Sequence, residues 1–439
     1  MDIIKYSDKK ELKRFLQRPA ILSSDLENKV MKILQNVKEK GDKAIRKYNK
    51  KYDEFELDNF SVSEKDINKA DRLLPEELKI AIQQAKNNIE KFHSSQPVTE
   101  QMIETMPGVQ CWRKTVAIEK VGLYIPGGTA PLFSTILMLG IPARIAGCKE
   151  IVLCTPPSAP LSAKRRGNGG EAEGEIHPAI LYAARLVGVT KIFKVGGAQA
   201  IAAMAYGTKT IPQVYKIFGP GNQYVTCAKH LVQKDGIAID MPAGPSELAV
   251  YADESANPSF VAADLLSQAE HGEDSQVMLV LSAVTSVQSY LGEVAEQLKK
   301  LPRKEIAKKA LKNSIVVLVK DENEAMDLLN QYAPEHLMLA CRNAEELAEK
   351  VINAGSVFLG HYSPETAGDY ASGTNHVLPT NGYAKTHSGI SVDSFVRKIT
   401  FQKLNEEGLK NIGNTVELLA EAEGLQAHKN AISIRINNQ

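Results

Sequence analysis

Apolar residues recur at helical spacing in the first quarter of the chain. A 3.6-residue period runs from Leu26 to Val37, and a second stretch of the same period begins at Pro75. The positions between the apolar residues are largely basic, which is typical of a solvated helix surface, although an anionic partner is an alternative. We therefore predict helices over most of residues 24–94.

Short apolar strands alternate with helices farther along the chain. The segments VGLYIPGG, IVLCTPP and IFKVGG have the pattern of strands, and helical segments separate them. A second alternating block contains the strands VMLVLSAV and SIVVLV and a predicted helix from Ala344 to Asn353, which leads to the strand SVFLG. Because such alternation is typical of parallel sheets with crossover helices, we predict two α/β domains.

Two segments lack this alternation. Residues 158–176 are poor in apolar residues and rich in Gly, Ala, Glu and basic residues, so we predict an exposed insertion; binding of a partner is the alternative. The chain from Ser391 onward is polar and ends in a predicted helix.

Composition narrows the class of protein. The chain has 439 residues, enough for two or three domains, and its net charge of +1 gives no general argument for nucleic acid or membrane binding. Its five cysteines form no CxxC pair, which favours reduced thiols in a cytoplasmic protein; one catalytic cysteine is an alternative. The charged N-terminus lacks the apolar core of a signal peptide, and the apolar run 136–141 is too short to span a bilayer.

Glycine turns follow three of the predicted strands. They are Pro126-Gly127-Gly128, Gly196-Gly197-Ala198 and Gly219-Pro220-Gly221-Asn222. None has the GxGxxG spacing of a dinucleotide fingerprint, yet each precedes a helix whose N-terminal amides could hold a phosphate. A tight turn without a ligand is the alternative for each one, but three in one domain favour a bound nucleotide.

Two pairs of polar residues could take part in chemistry. Gln268 and His271 lie three residues apart at a predicted helix end, and so share one face that could form half of a metal site; a capped helix end is the alternative. Glu335 and His336 follow Pro334, which suits a first helical turn, so we expect Glu335 to lie near a positive helix end and to be ionised. A carboxylate beside an imidazole can supply two bases, one for an alcohol and one for a water.

Further candidate ligands lie near the C-terminus. Asp369 and His376 belong to a long polar segment, and His428 follows Glu423 by five residues. Together with Gln268 and His271, Asp369 and His428 would complete a mixed nitrogen and oxygen set that is plausible for zinc but not specific by spacing.

The chain resembles the histidinol dehydrogenase family. The motifs that carry the resemblance span nearly the whole chain: GGAQAIAA, FGPGN, AGPSE, SQAEHG, APEHL, GDYASGTNHVLPT and AEGLQAHKNA. The resemblance implies an NAD-dependent, zinc-containing oxidoreductase that converts L-histidinol to L-histidine by two hydride transfers, through the aldehyde and its hydrate, in the last step of histidine biosynthesis.

The resemblance also implies the site residues, with one zinc ion per subunit. The implied zinc ligands are Gln268, His271, Asp369 and His428, and the implied proton acceptors are Glu335 and His336. The implied substrate contacts are Ser246, Gln268, His271, His336, Asp369, His376, Glu423 and His428. The implied NAD contacts are Tyr124, Gln199 and Asn222. The implied assembly is an intertwined homodimer, in which the C-terminal tail of one subunit completes the site of the other.

We expect an α/β fold with two incomplete Rossmann-like domains. Residues 1–26 are expected to form a helical extension, 27–124 with 247–388 the first domain, 125–246 the second domain, and 389–439 the tail. Three alternatives stay open: a zinc hydrolase of a small amide, a related NAD-dependent dehydrogenase of another small alcohol, and a metal-stabilised scaffold without activity.

Overall fold

The computed structural model describes residues 1–16, 24–57, 59–97, 100–127, 131–157, 174–242, 244–282 and 284–437. Residues 158–173 of the predicted insertion therefore lie outside the described residues, as does Gly128 of the first glycine turn. No helix in the described ranges combines the length and the apolar character that crossing a membrane requires.

Strands occur along the whole chain. They are Asp2–Lys5 (β1), Ile103–Met106 (β2), Val109–Ala117 (β3), Lys120–Tyr124 (β4), Glu150–Thr155 (β5), Lys191–Lys194 (β6), Lys216–Phe218 (β7), Ala238–Ile239 (β8), Glu247–Ala252 (β9), Gln276–Ser282 (β10), Ile315–Val319 (β11), His336–Ala340 (β12), Ser356–Leu359 (β13) and Val396–Leu404 (β14).

Helices connect most of these strands. They are Lys9–Leu16 (α1), Ser24–Lys40 (α2), Asp42–Tyr48 (α3), Glu64–Leu73 (α4), Glu76–Ser94 (α5), Phe133–Ala146 (α6), Pro178–Val187 (α7), Gly197–Tyr206 (α8), Gln223–Gln233 (α9), Pro258–Ala269 (α10), Val287–Lys300 (α11), Lys304–Lys312 (α12), Glu322–Tyr332 (α13), Ala344–Ala348 (α14), Glu365–Tyr370 (α15), Glu406–Ala422 (α16) and Gln426–Asn437 (α17). A π-helical turn, Asn49–Asp53, follows α3.

Two parallel sheets organise the described residues. The first has the order β1-β11-β10-β9-β12-β13, and the second has the order β6-β5-β4-β7-β8. In the first sheet, β9 lies between β10 and β11 on one side and β12 and β13 on the other. In the second sheet, β4 lies in the same way between β5 and β6 on one side and β7 and β8 on the other. In open parallel sheets, ligands usually bind outside the carboxyl ends of the strands where this order reverses, and in the second sheet that point lies between β4 and β7.

The central strands are mostly apolar because helices cover both faces of each sheet. In β10, the residues from Val277 to Leu281 are fully buried. One face of its sheet packs on α10, α11 and α12, and the other on α1, α13 and α14. The parallel α/β architecture predicted from the alternation is thereby confirmed.

The N-terminal helices pack differently from the expectation. Apolar residues of α2 and α3 share a core with α8, α9 and the second sheet, and Ile82 and Ile89 of α5 share another core with α6 and that sheet. These helices therefore pack mainly on the second sheet, and α5 also contacts residues of 247–388, as in the hydrogen bond from Asn88 to the Ala371 carbonyl oxygen. The reason is that α2 contacts α8 and α9, whereas local periodicity cannot specify which sheet a helix covers.

The terminal segments contain strands as well as the expected helices. Asp2–Lys5 is a strand that pairs in parallel with β11, so the first residues extend the first sheet. Val396–Leu404 pairs with β3, and β3 pairs with β2, in an antiparallel three-stranded sheet. The two C-terminal helices, α16 and α17, pack on each other beyond this sheet. The helix predicted from Ala344 to Asn353 ends at Ala348.

Candidate active site and metal centre

The candidate catalytic pair lies at the amino-terminal edge of the first sheet. Helix α13 ends at Tyr332, and Ala333 adopts a left-handed conformation with a φ of 52°. His336 then begins β12, so the prediction that Glu335 lies in a first helical turn is wrong. Glu335 and His336 are buried, with 7% and 3% of their surfaces exposed.

His336 is held by one hydrogen bond and surrounded by carboxylates. Its Nδ1 lies 3.1 Å from the carbonyl oxygen of Glu247 and therefore carries the ring proton. Its Nε2 is buried without a hydrogen bond among the described residues, and lies 3.5 Å from Oδ1 of Asp369. Burial alone lowers the pKa of His336, but three carboxylates outweigh it and raise that pKa to about 10; these belong to Glu365, Glu335 and Asp369.

Glu335 is buried beside His336, and its pKa is also displaced. Burial raises its pKa to about 7, although the His336 ring opposes this shift. Its Oε2 accepts a hydrogen bond of 2.9 Å from the backbone N–H of Glu247 and lies 3.6 Å from Nδ1 of His336. A carboxylate with such a pKa can accept a proton from water efficiently at physiological pH.

Gln268 is the penultimate residue of α10, lies beside the same group of residues and is fully buried. In the amide orientation that satisfies both of its atoms, its nitrogen donates to Oε1 of Glu365 at 2.5 Å, and its oxygen accepts from the Glu247 N–H at 3.0 Å. Gln268 and Glu335 therefore share one backbone donor, which fixes the helix end against the start of β9.

Glu365 and Asp369 complete a cluster that fits a metal ion. Ligand atoms of His336, Glu365 and Asp369 lie within 4.8 Å of one another. Oε2 of Glu365 is buried and has no hydrogen-bond partner in the described ranges, as is also true of Nε2 of His336. Burial raises the pKa of Glu365 to about 8. Several buried acceptors without donors fit a dication, because unpaired buried polar groups are otherwise unfavourable.

Two more histidines surround the cluster. His271 follows the end of α10 and is exposed to solvent; desolvation by the surrounding atoms lowers its pKa, although Asp369 opposes the shift. Nδ1 of His376 lies 2.7 Å from the backbone oxygen of Asp369, and its Nε2 lies 3.1 Å from Oγ1 of Thr135 on α6. Burial lowers the pKa of His376. His376 thus links the cluster to the second α/β unit.

The candidate nucleotide residues lie at the opposite, carboxyl-terminal edge of the second sheet. The Tyr124 hydroxyl accepts a hydrogen bond of 3.0 Å from the Gly197 N–H, and burial raises the pKa of Tyr124. Gln199 donates to Oδ2 of Asp53 at 3.3 Å. The side-chain oxygen of Asn222 caps α9. The glycine turns after β6 and β7 open helices α8 and α9, as their spacing predicts.

Known proteins are similar to this chain over nearly its whole length. The family model described as histidinol dehydrogenase matches residues 16–436. A histidinol dehydrogenase of Bacteroides thetaiotaomicron is 58% identical over 437 residues, covering 100% of this chain and 99% of its own length. One from Bacteroides fragilis is 57% identical over 436 residues, covering 99% of each chain.

A solved structure extends the comparison to the fold. The crystal structure of histidinol dehydrogenase from Elizabethkingia anophelis has a TM-score of 0.94 and 52% identity, and covers 100% of this chain and 98% of its own. The chain belongs to the histidinol dehydrogenase family.

Within this histidinol dehydrogenase fold, some predicted site residues lie apart from the cluster. Glu423 and His428 are exposed on the C-terminal helices, and the hydrogen bonds described for them are to backbone oxygens of Leu419 and Leu425. Ser246 is half-buried immediately before β9, and its carbonyl oxygen accepts from the Gln276 N–H. One chain therefore brings together Gln268, His336 and Asp369, with His271 and His376 beside them.

Sequence reasoning missed two residues of this histidinol dehydrogenase site. Glu247 is buried, and its side chain accepts from the Asn381 N–H at 3.0 Å, while its backbone contacts Gln268, Glu335 and His336. Its role is through the backbone, which no residue type reveals. Glu365 could have been found, because it precedes Asp369 by four residues and helical spacing puts both on one face.

Proposed function

We propose that this protein oxidises L-histidinol to L-histidine in the last step of histidine biosynthesis, through the aldehyde and its hydrate. NAD would accept a hydride in each of two steps. The observation that carries the proposal is the buried Glu335-His336 pair beside a cluster of acceptors suited to a dication, in a chain of the histidinol dehydrogenase family.

Zinc is the proposed metal, and the proposed ligands are Gln268, His271, Asp369 and a second copy's residue equivalent to His428. A bound zinc ion would hold and orient the substrate and stabilise negative charge near the reacting carbon. Its positive charge among the carboxylates would also lower the pKa of His336 from the raised value, toward the range of a useful base.

His336 would take the hydroxyl proton of the alcohol at Nε2. This nitrogen is the basic one because Nδ1 is committed to the Glu247 carbonyl oxygen. Loss of that proton accompanies departure of hydride from the same carbon, which gives the aldehyde. Its backbone and ring contacts hold His336 in one orientation, so little reorganisation would be needed.

Glu335 would then activate a water molecule. Its carboxylate would accept a proton as the water oxygen bonds to the aldehyde carbon, while protonated His336 returns its proton to the former carbonyl oxygen, which gives the hydrate. His336 can accept a hydroxyl proton again when the second hydride leaves, and the product is the carboxylate. Cysteine is not needed for these steps, and Cys154, Cys227 and Cys341 are buried away from the cluster.

Substrate and nucleotide would approach from two sides. The proposed substrate contacts are Ser246, Gln268, His271, His336, Asp369, His376, Glu423 and His428, and the proposed NAD contacts are Tyr124, Gln199 and Asn222. Both α/β units would be incomplete Rossmann-like domains, a proposal supported by their shared strand order.

We propose a cytoplasmic homodimer with shared sites. Large apolar side chains are exposed on the C-terminal helices, including Leu418, Leu419, Leu425 and Ile434, and a partner subunit could cover them. Burying this surface would bring Glu423 and His428 of one subunit to the cluster of the other.

One assay tests the proposed reaction. Purified protein is supplied with L-histidinol and NAD, and NADH formation is followed with and without a zinc chelator. We expect two NADH per histidinol and loss of activity on chelation. No NADH from histidinol would refute the proposal; NADH from another amino alcohol alone would indicate a related dehydrogenase, and cleavage of a small amide without NAD would indicate a hydrolase.

A further inference from the structure

A buried ion pair lies beneath the glycine turn that follows β7. It joins Lys229 on α9 to Asp240, which follows β8, and only 4% and 2% of their side-chain surfaces are exposed. Both side chains also bind the backbone of Gly219. The Gly219 N–H donates to Oδ2 of Asp240 at 2.8 Å, and Nζ of Lys229 donates to the Gly219 carbonyl oxygen at 2.9 Å.

Gly219 is held from its other side by the end of β4. Its φ is 122°, and a Cβ atom added there would lie 2.0 Å from the carbonyl oxygen of Tyr124. Any other residue would therefore displace the turn from the strand that ends in Tyr124. The ion pair further restricts the position of Gly219, because it forms hydrogen bonds with both the N–H and the carbonyl oxygen of this residue.

Lys229 also fixes the position of helix α9 along its axis. It lies seven residues, or about two turns, after Asn222, which caps the same helix. The helix is thus tied back to the end of β7 from its interior. Lys216 lies near Asp240 as well, but its ammonium donates to the Ser394 carbonyl oxygen, so Lys229 makes the direct contact.

A buried ion pair is weak evidence for stability, because desolvation of both charges offsets their attraction. Here both partners converge on one residue of a turn at the nucleotide edge. We propose that Lys229 and Asp240 are positioning residues that hold the Gly219–Asn222 turn and the start of α9 where the dinucleotide binds. This inference rests on the proposed function, since it assigns NAD to that turn.

The test compares Lys229→Met, Asp240→Asn and the double variant, each as the zinc-loaded protein. Removing one partner leaves a buried unpaired charge, so we expect each single variant to lose thermal stability. The double variant has no unpaired charge and should recover most of that loss. In all three, we expect KM for NAD to rise about tenfold, while kcat and KM for histidinol change less than about twofold.

The double variant separates positioning from stability. If the pair were only structural, KM for NAD would return to the wild-type value together with the thermal stability, and this result would overturn the inference. Asp240→Glu keeps both charges but displaces the carboxylate, and so tests the inference if the other variants do not fold. An unchanged KM for NAD in Asp240→Glu would also overturn it.

The matched control is Asp235→Asn. Asp235 pairs with Lys38 and accepts from the Tyr206 hydroxyl beyond the other end of α9, so its loss should leave KM for NAD unchanged. Failure of the proposed function is recognised separately, because the wild-type protein would then form no NADH from histidinol.

Discussion

At the residue scale, the candidate site contains two buried neighbours, Glu335 and His336, at the start of β12. Adjacent strand residues point to opposite faces in a regular sheet, but Glu335 precedes the first paired residue of β12 and is free to turn toward Glu247. The side chains of Glu335 and His336 therefore lie close together, with Oε2 of Glu335 3.6 Å from Nδ1 of His336.

Replacing either residue should slow turnover without unfolding the protein. We expect Glu335→Ala and His336→Ala each to lower kcat by about 10²–10⁴-fold, the usual contribution of a positioned acid or base. Steady-state NADH assays give kcat, and circular dichroism checks the fold. Glu349→Gln, which changes an exposed carboxylate, is the control. Near-normal rates in both alanine variants would refute the assigned roles.

Asp53 offers a pH-dependent prediction beside the nucleotide turns. Burial raises its pKa from 3.8 to about 6, even though Gly196 and Gln199 donate to it. A raised carboxyl pKa means that the folded state binds the proton more tightly than the unfolded state. Asp53 therefore destabilises the fold increasingly as pH rises from about 4 through 6, and fully above that range.

Asp53→Asn should thus stabilise the protein only at high pH. We expect a gain of about 1–2 kcal/mol at pH 8, after allowance for partial solvent exposure, and little gain at pH 4. Denaturant unfolding at the two pH values measures this difference. Glu77→Gln on the surface of α5 should show no such dependence. An equal effect of Asp53→Asn at both values would contradict the prediction.

At the element scale, helix α15 presents two carboxylates to the cluster. Glu365 lies one turn before Asp369 and is hydrogen-bonded to the amide of Gln268. Groups that orient a metal ligand typically contribute a factor of 10–100 to metal affinity. We therefore propose that Glu365 supports the candidate metal site even without direct coordination.

We expect Glu365→Gln to weaken zinc binding about 10–100-fold. The introduced amide is uncharged, and so it orients the Gln268 amide less strongly than the Glu365 carboxylate does. Competition with a chelator of known zinc affinity measures the change independently of activity. Glu345→Gln, on the exposed face of α14, is the matched control. Wild-type zinc affinity in Glu365→Gln would show that Glu365 does not support the metal.

The same scale shows why one element was predicted incorrectly. Pro334 has a residue type that suits a helix start, yet the left-handed Ala333 ends α13 before it. The next residues form β12, which pairs with β9 and β13. Of these, β9 lies far earlier in the chain, and β13 follows β12. Pairing with distant strands decided the outcome, and a local pattern does not contain that information.

At the scale of the whole molecule, the sequence predicted the parallel α/β architecture but not how the parts are grouped. Strand–helix alternation is visible locally, whereas the packing of α2 and α5 on the second sheet depends on tertiary contacts. The candidate site, too, could be predicted only in part from local patterns. Gln268 and His271 are local, but their association with Asp369 came from family resemblance and not from spacing.

The C-terminal tail gives a prediction for the assembly. Removing residues from Gly424 onward should abolish zinc binding, because it removes the proposed ligand His428. A chain with Gln268→Ala and His271→Ala should also lack zinc. Mixing the two inactive chains, after dissociation and reassembly, should restore some activity if sites are shared. No recovery in a verified mixed dimer would mean that each subunit is self-contained.

The candidate site residues of the two α/β units lie at opposite edges of their sheets, which has an electrostatic consequence. Gln268 and Glu335 lie at or just beyond the carboxyl ends of α10 and α13, where the helix dipole is negative. Gly196 and Asn222 instead lie at the amino ends of α8 and α9, where it is positive. One repeated strand–helix arrangement thus supplies local fields of both signs, favouring a cation at one edge and phosphate groups at the other. A chain with a net charge of only +1 can therefore attract both without an overall electrostatic bias.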